Sequence, residues 1–291
     1  MKRIGLLGCG AIGRLHARNL APHVELVFCS RRRESAQEFR KEFGGVGVVE
    51  RYEDLLAMEE VAAVVIATPP EAHTAQVVQA LKAGKAVMVE KPMCASQVEV
   101  DEIGAALAAK PDAVLMVAEN YYYKPSLTLM KEVIEWDGIG AVQRISVKKL
   151  TQQNAKGWKS AYGALLEGGI HFIALMADLA DTALAAAARG SIAAVDGPVD
   201  SGAAGGSADA KNAEREDGEP SGDTGGEAGG NTIDTEAITA KPCAPSEIAA
   251  EFPTLKRGER EERQSKVQLR WDGIAGSLHY AWDTASLLKG V

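Results

Sequence analysis

The chain has 291 residues, of which 46% are hydrophobic, and this length accommodates two domains with cores of their own. The net charge of -8 argues against a general nucleic-acid binder, which would need a basic face. The four cysteines are widely spaced, which predicts free thiols and no metal site. The sequence has no signal-peptide pattern and no run near 18 apolar residues, so no membrane span and a cytoplasmic location are expected.

A glycine-rich turn follows the first predicted strand, Arg3 to Leu7. It reads Gly8-Cys9-Gly10-Ala11-Ile12-Gly13, the Gly-x-Gly-x-x-Gly spacing, and it precedes a helical pattern from Arg14 to Leu20. The first glycine permits a tight turn, the second lets a pyrophosphate approach the backbone, and the third lets helix and strand pack closely. Dinucleotide binding by Gly8, Gly10, Ala11, Ile12 and Gly13 is therefore predicted, with a purely structural turn as the alternative.

The second predicted strand, Val24 to Cys29, ends at Ser30-Arg31-Arg32-Arg33. An acid about 20 residues after the glycines would bind the ribose 2'-hydroxyl of NAD, whereas serine and arginine bind the 2'-phosphate of NADP. Ser30 and Arg31 therefore favour NADP, and NAD stays possible. The alternative is that the arginines only begin the solvated helix that Glu34 to Phe43 continue.

A third buried strand, Val61 to Ala67, is stopped by Thr68-Pro69-Pro70. The helix that follows, Glu71 to Ala83, has His73 in its first turn. Thr68, Pro69 and His73 are predicted to border the dinucleotide. A lone histidine near a helix start is, however, more often a surface or capping residue.

The apolar strand Ala86 to Val89 leads into Glu90-Lys91-Pro92. Pro92 cannot donate a ladder hydrogen bond, so Glu90 and Lys91 end the strand at its carboxyl edge, where open parallel sheets bind ligands. A partly desolvated lysine beside a cofactor can transfer protons. Lys91 is therefore a candidate catalytic residue and Glu90 a cofactor neighbour, the alternative being an ordinary solvated Glu-Lys pair.

The last strand of this series, Ala113 to Ala118, ends in Glu119-Asn120-Tyr121-Tyr122-Tyr123. Strands and helices alternate over residues 1–120, which predicts an α/β fold with a doubly wound parallel sheet. Asn120 lies at the carboxyl end of its strand and is a predicted cofactor contact. Of the three tyrosines, at most two can face a ligand, and Tyr121 is the predicted substrate contact.

Residues 121–291 are predicted to form a second domain, which begins with a helix from Pro125 to Glu135 and a strand from Ala141 to Leu150. A polar segment then contains Trp158, a predicted substrate contact. Glu167 and His171 precede an apolar helix and are four residues apart, so both can project from one helix face. Taken alone, a capping acid and a buried, satisfied histidine are the better interpretation of these two residues.

As a set, these motifs resemble the Gfo/Idh/MocA oxidoreductases, the family of glucose-fructose oxidoreductase and inositol dehydrogenase. The resemblance covers roughly Lys2 to Asp181 and resumes near Ser265. It implies a Rossmann domain followed by an α+β domain with an open, mainly antiparallel sheet. The implied activity is NAD(P)-dependent hydride transfer between nicotinamide and a carbinol or carbonyl carbon of a sugar, polyol or related small polar molecule.

The family's catalytic lysine falls on Lys91 and its second-domain histidine on His171. Lys91 would then position the nicotinamide ribose and the substrate oxygen, and His171 would exchange the hydroxyl proton. Where the family often has an aspartate four residues before the histidine, this chain has Glu167, which would orient it. The alternatives are a catalytically inactive NAD(P)-sensing protein of the same fold and a truncated, non-functional relative.

Three later segments complete the expectations. Leu184 to Val195 suits a helix by its alanine content, whereas the resemblance implies a strand, and both interpretations stay open. Residues 196–231 contain ten glycines and nine acids against two bases, so a disordered insertion is expected. Lys266 to Trp271 and Ile274 to Trp282 form a predicted hairpin. Family members carry further strands, so a truncated second domain is expected, and its sheet is a possible homo-oligomer surface.

Overall fold

The structure, a computed structural model, describes residues 1–136, 139–150, 163–195, 245–251 and 264–281 of the chain. The predicted substrate contact Trp158 and the predicted insertion 196–231 lie outside the described residues. Two sheets follow one another along the described part, a six-stranded sheet built before residue 120 and a four-stranded sheet built after it.

All six strands of the first sheet run parallel. In chain order they are β1 (Arg3–Leu7), β2 (Glu25–Cys29), β3 (Gly47–Val49), β4 (Val61–Ile66), β5 (Ala86–Val89) and β6 (Leu115–Val117). Their spatial order is β3-β2-β1-β4-β5-β6, so the winding reverses between β1 and β4. The predicted doubly wound Rossmann sheet is therefore confirmed, with the short strand β3 added to those read from the sequence. Ligands bind such sheets beyond the carboxyl ends of the strands at the reversal.

Five helices connect these strands: α1 (Ala11–Leu20), α2 (Arg33–Phe43), α3 (Tyr52–Ala57), α4 (His73–Lys82) and α5 (Gln97–Ala108). A 3₁₀ turn, Pro70–Ala72, precedes α4, because the prolines after β4 delay the start of the helix. Ser96 caps α5, since its hydroxyl accepts a hydrogen bond from the N–H of Glu99.

Alternate residues of the strands build a core on each face of the sheet. Leu6 and Phe28 are buried with Phe39 of α2 on one face. Val27 and Ile66 are buried on the other face with Leu55 of α3. Each of these fully buried side chains contributes about 1.5–3 kcal/mol relative to exposure. Packing on both faces therefore holds the carboxyl edge of the sheet in a fixed geometry.

The second sheet has the order β7-β10-β9-β8. Its elements follow a 3₁₀ turn at Asn120–Tyr123 and are α6 (Pro125–Glu135), β7 (Arg144–Leu150), a π-helical turn at Leu165–Gly169, α7 (Ile170–Val195), β8 (Glu247–Glu251), β9 (Gln264–Trp271) and β10 (Ile274–Ala281). Only β10 and β7 pair in parallel, and the other two pairs are antiparallel. The mainly antiparallel sheet and the β9–β10 hairpin are thus confirmed.

One face of the second sheet packs on α7. Leu269 and Trp271 of β9 and Leu278 of β10 are buried there against Met176 and Leu179 of α7. The period of two along the strands explains this pattern, because every second side chain points to the same face. The opposite face carries polar groups, with the hydroxyls of Ser146 and Ser277 2.8 Å apart.

The helix α7 decides between the two interpretations of Leu184 to Val195, since it continues to Val195. The helix favoured by alanine content forms, and the strand implied by the resemblance does not. Among the described residues, Leu165–Arg189 is also long and apolar enough to cross a membrane by length and composition alone, with a mean hydropathy of 1.5. Its Met176, Leu179 and Ala180 belong to the second core, as in a core helix of an α+β domain.

Candidate active site

The three motif glycines of the turn between β1 and α1 differ in whether a side chain would fit, since a Cβ has room at Gly10 but not at Gly8 or Gly13. A Cβ at Gly8, where φ is +107°, would lie 2.5 Å from the carbonyl oxygen of Ala67, and a Cβ at Gly13 would overlap the carbonyl oxygen of Gly8. A Cβ at Gly10 would meet no atom within 4 Å. Packing therefore requires Gly8 and Gly13, whereas Gly10 faces open space at the start of α1. This cradle fits a pyrophosphate, which the N–H groups of a helix start favour.

A cleft of about 1160 Å³ opens beside this turn, at the carboxyl edge of the first sheet. Its walls come from the turn, from the ends of β2, β4 and β5, and from Glu167 of the second domain. The predicted cofactor residues in its lining are Gly8, Gly10, Ala11, Ile12, Ser30, Arg31, Thr68, Pro69, Glu90 and Lys91. Gly13, His73 and Asn120 lie outside the lining, and the side chain of Asn120 is exposed.

The thiol of Cys9 lies within the glycine-rich turn, with its Sγ 3.9 Å from the carbonyl oxygen of Cys29. Burial raises the pKa of Cys9 to about 11, although the charge of Arg14 opposes this shift. Burial likewise raises the pKa of Cys29 to about 12. Both thiols therefore stay protonated near neutral pH and place no negative charge beside the pyrophosphate cradle.

The end of β2 gives the cleft a positive region. Arg31 and Arg32 line it beside Ser30, whose hydroxyl accepts a hydrogen bond from the N–H of Arg32 at 3.2 Å. Two ion pairs at the same end balance their own charges, Arg33 with Glu50 at 2.8 Å and Arg51 with Glu53 at 3.6 Å. Arg31 and Arg32 are not members of these two ion pairs, so they add positive charge to this part of the cleft. A phosphate monoester, which is an anion, suits such a region.

Two histidines hold the segment Glu90-Lys91-Pro92 in place. His16 of α1 has its Nε2 2.7 Å from Oε1 of Glu90. The fully buried His73 has its Nδ1 2.8 Å from the carbonyl oxygen of Pro92 and its Nε2 2.8 Å from that of Thr68. His73 therefore bridges the ends of β4 and β5 behind the cleft wall, where it supports the site rather than lining it.

Lys91 connects the first domain to the second. Its Nζ donates a hydrogen bond to the main-chain oxygen of Glu167 at 2.5 Å. Glu167 belongs to the π-helical turn Leu165–Gly169, directly before α7. The contact therefore joins the end of β5 to the segment that carries His171.

His171, the second residue of α7, lies against the carboxylate of Glu119, which follows β6. Its Nδ1 is 2.6 Å from Oε1 and 2.7 Å from Oε2 of Glu119. The Oε1 atom also accepts a hydrogen bond from the N–H of Tyr121 at 3.0 Å. An ionised carboxylate can only accept, so Nδ1 donates and Nε2 is the ring nitrogen that can exchange a proton with a substrate.

The ring of Tyr121 packs on the same histidine. The two ring centres are 5.1 Å apart with an angle of 20° between the planes. The ammonium of Lys124 lies 3.3 Å from the centre of the Tyr121 ring. The ring of Phe172 packs edge-on against the Tyr121 ring, with the two ring centres 5.2 Å apart. Tyr121, a predicted substrate contact, thus stacks its ring on His171.

Opposing effects set the ionisation of Glu119. Burial raises its pKa, but the hydrogen bonds from His171 and Tyr121 and the charges of His171 and Lys91 lower it, and the net shift is downward. Glu119 is therefore ionised at neutral pH. It is 4% exposed, so solvent screens its charge little.

Glu119 and His16 are not among the site residues predicted from the sequence. The signal for Glu119 is its place at the carboxyl end of β6, next to Asn120, which the sequence pattern predicts as a cofactor contact. His16 had no signal of its own, because its partner Glu90 is 74 positions away along the chain. Glu167 was expected to orient His171, and the structure shows its main-chain oxygen on Lys91.

Residues 2–119 match the Gfo/Idh/MocA family model, described as an oxidoreductase family with an NAD-binding Rossmann fold. Curated relatives include glucose-6-phosphate 3-dehydrogenase of Bacillus subtilis, 31% identical over 60% of this chain and 52% of the relative. Inositol 2-dehydrogenase of Rhizobium meliloti is 31% identical over 50% of this chain and 44% of the relative. The aligned part thus spans about half the length of these curated relatives.

Solved structures extend the likeness in fold to both sheets. The WlbA dehydrogenase of Bordetella pertussis, in complex with NADH and UDP-GlcNAcA, matches with a TM-score of 0.66 and 22% identity over 98% of this chain and 71% of that one. The scyllo-inositol dehydrogenase of Lactobacillus casei, with bound NAD(H) and scyllo-inositol, matches with a TM-score of 0.64 and 16% identity over 97% of this chain and 69% of that one. Residues 2–119 of the chain, its Rossmann domain, thus carry the NAD-binding domain of the Gfo/Idh/MocA oxidoreductase family.

Proposed function

We propose that the protein is an NAD(P)-dependent dehydrogenase or reductase that transfers a hydride between nicotinamide and a carbinol or carbonyl carbon of a sugar, polyol or related small polar molecule. The observation that carries this proposal is the junction of the two domains, where Lys91 contacts Glu167 and Glu119 contacts His171. Relatives named for sugar and inositol oxidation support the substrate class.

The chain's own residues suit a dinucleotide at the cleft. The glycine-rich turn and the start of α1 would hold the pyrophosphate, and Ser30 with Arg31 would hold the ribose at the end of β2. We assign NADP as the preferred cofactor and NAD as the second, because the positive charge of Arg31 and Arg32 is additional to the balanced ion pairs there. When bound, the nicotinamide accepts or returns the hydride.

Lys91 and His171 have separate tasks in this proposal. In the oxidation direction, Nε2 of His171 takes the hydroxyl proton while the carbon loses its hydride, which leaves a carbonyl. The Lys91 ammonium donates a hydrogen bond to the same oxygen and aligns it. In the reduction direction His171 returns the proton to the alkoxide oxygen.

A panel of substrates tests the proposal. Purified protein is mixed with NADP or NAD and with glucose 6-phosphate, inositols, free hexoses and nucleotide sugars, and absorbance of the reduced cofactor is followed. Turnover is expected with at least one of them and should be lost in Lys91→Met run in parallel. Cofactor binding without turnover on any of these classes in either direction would contradict the proposal.

The proposal includes a cytoplasmic location and a homo-oligomer formed through the second sheet. The three cysteines in the described part, Cys9, Cys29 and Cys94, are free thiols, as expected of a reducing compartment. Sedimentation of the purified chain would give its oligomeric state.

A further inference from the structure

Two carboxylates are candidates for orienting His171. Glu167 precedes it by four residues along the chain, and Glu119 contacts it from the other domain. The main-chain oxygen of Glu167 accepts a hydrogen bond from Lys91. The contact of Glu119 is made by both oxygens of its side chain, which lie within 2.7 Å of Nδ1.

The surroundings of Glu119 suit a lasting interaction with this ring. The carboxylate is almost fully buried, and the Tyr121 N–H fixes one of its oxygens. The Tyr121 ring in turn stacks on the imidazole and restricts its rotation. When a neutral histidine accepts a proton it becomes a cation, and an adjacent buried carboxylate stabilises that cation far more than an exposed one does.

We propose that Glu119 is the positioning residue of His171. It holds the proton of the neutral ring on Nδ1, leaves Nε2 to exchange the hydroxyl proton, and stabilises the imidazolium that forms. This inference rests on the proposed function. Because Glu119 belongs to the first domain and His171 to the second, the base is oriented only while the two domains are docked.

The variant Glu119→Gln removes the negative charge of the side chain and keeps its shape. Its amide oxygen can still accept from the Tyr121 N–H, which directs the amide NH₂ group toward Nδ1 of His171. A donor in that place requires Nδ1 to accept, so the proton of the neutral ring moves to Nε2. The matched control is Glu102→Gln, which removes an exposed carboxylate of α5.

The first test needs no substrate. Nitrogen-15 NMR of the histidine side chains, at a pH where the ring is neutral, reports which nitrogen carries the proton, and His171→Gln identifies the signal. We expect Nδ1–H in the wild type and in Glu102→Gln, and a shift toward Nε2–H in Glu119→Gln. A wild-type ring protonated on Nε2 would overturn the inference, even if the Glu119 variant failed to fold.

The second test uses an active substrate from the panel. We expect Glu119→Gln to lower kcat about 10- to 100-fold, as for loss of a charge-assisted hydrogen bond, with cofactor affinity within about threefold of wild type. Glu167→Gln should lose several-fold less. A larger loss in Glu167→Gln would return the orienting role to that residue. If no substrate is turned over but the NMR result holds, the proposed function fails and the positioning of His171 by Glu119 stands.

Discussion

The two domains contribute to the site in different ways. The first supplies short contiguous motifs, such as the glycine-rich turn and Glu90-Lys91-Pro92, each placed at the end of a parallel strand. The second supplies single groups, His171 and the main-chain oxygen of Glu167, whose partners belong to the first domain. A motif built by one strand and one turn can thus be recognised in the sequence. The orientation of His171, the base of the proposed reaction, depends on contacts across the domain junction and cannot be recognised in this way.

Removal of Lys91 or His171 should give the largest effect and tests whether the domains act as a unit. We expect Lys91→Met and His171→Ala each to lower kcat at least about a hundredfold, because general acid–base groups typically contribute 10²- to 10⁴-fold. NADPH affinity should change by less than about tenfold, since neither residue holds the phosphates. Single-turnover rates at saturating cofactor and fluorescence titration measure the two quantities.

The double variant sharpens this test. If Lys91 and His171 act together, its loss should be much smaller than the product of the two single losses. Circular dichroism controls for folding. Near wild-type turnover in a folded His171→Ala variant would show that His171, the second domain's candidate base, does not transfer the proton.

The next largest effect concerns the first domain alone. Loss of one charge-assisted contact costs about 1.5–3 kcal/mol, so Arg31→Ala should weaken NADPH binding about 10- to 100-fold and leave NADH binding nearly unchanged. Arg18→Ala, at the exposed end of α1, is the control for net charge. Equal losses for both cofactors would contradict a 2'-phosphate site at Arg31.

Two alanine substitutions in the glycine-rich turn should separate packing from binding. Gly13→Ala forces a Cβ onto the carbonyl of Gly8 and should lower stability by about 1–3 kcal/mol. Gly10→Ala places its Cβ in open space, so the melting temperature should hold while dinucleotide affinity falls. Calorimetry and fluorescence titration distinguish them, and a destabilised Gly10→Ala would show that this glycine also serves packing.

The smallest expected effect is on stability at acid pH. The pKa of Glu119 is lowered in the folded protein from its ordinary value of 4.5, so its stabilisation is present above that value and is lost as the pH falls through the folded pKa. The melting temperature of the wild type should therefore fall more steeply than that of Glu119→Gln below about pH 4.5. Glu102→Gln should follow the wild type, and parallel curves for all three would mean that Glu119 does not titrate with folding.

Sequence reasoning located most of the first domain, because apolar runs, glycines and prolines mark buried parallel strands and their ends. It left Leu184 to Val195 open, since alanine content favours a helix while the family pattern favours a strand. Glu119 and Asn120 are both polar residues at the end of one strand, and nothing in the local sequence distinguishes Glu119 from the predicted contact Asn120. The distinction comes from His171, 52 positions away along the chain, and only folding brings the two together.

The π-helical turn at Leu165–Gly169 sets the angular phase of the helix that carries His171. A π turn contains one residue more than an α turn, and each helical residue turns the chain by about 100°. The turn is also pressed against β10, since a Cβ at Gly168 would overlap the hydroxyl of Tyr280. Deletion of one residue from this segment would therefore rotate His171 by about 100° relative to the preceding chain and separate it from Glu119, although Lys91, Glu119 and His171 would all still be present.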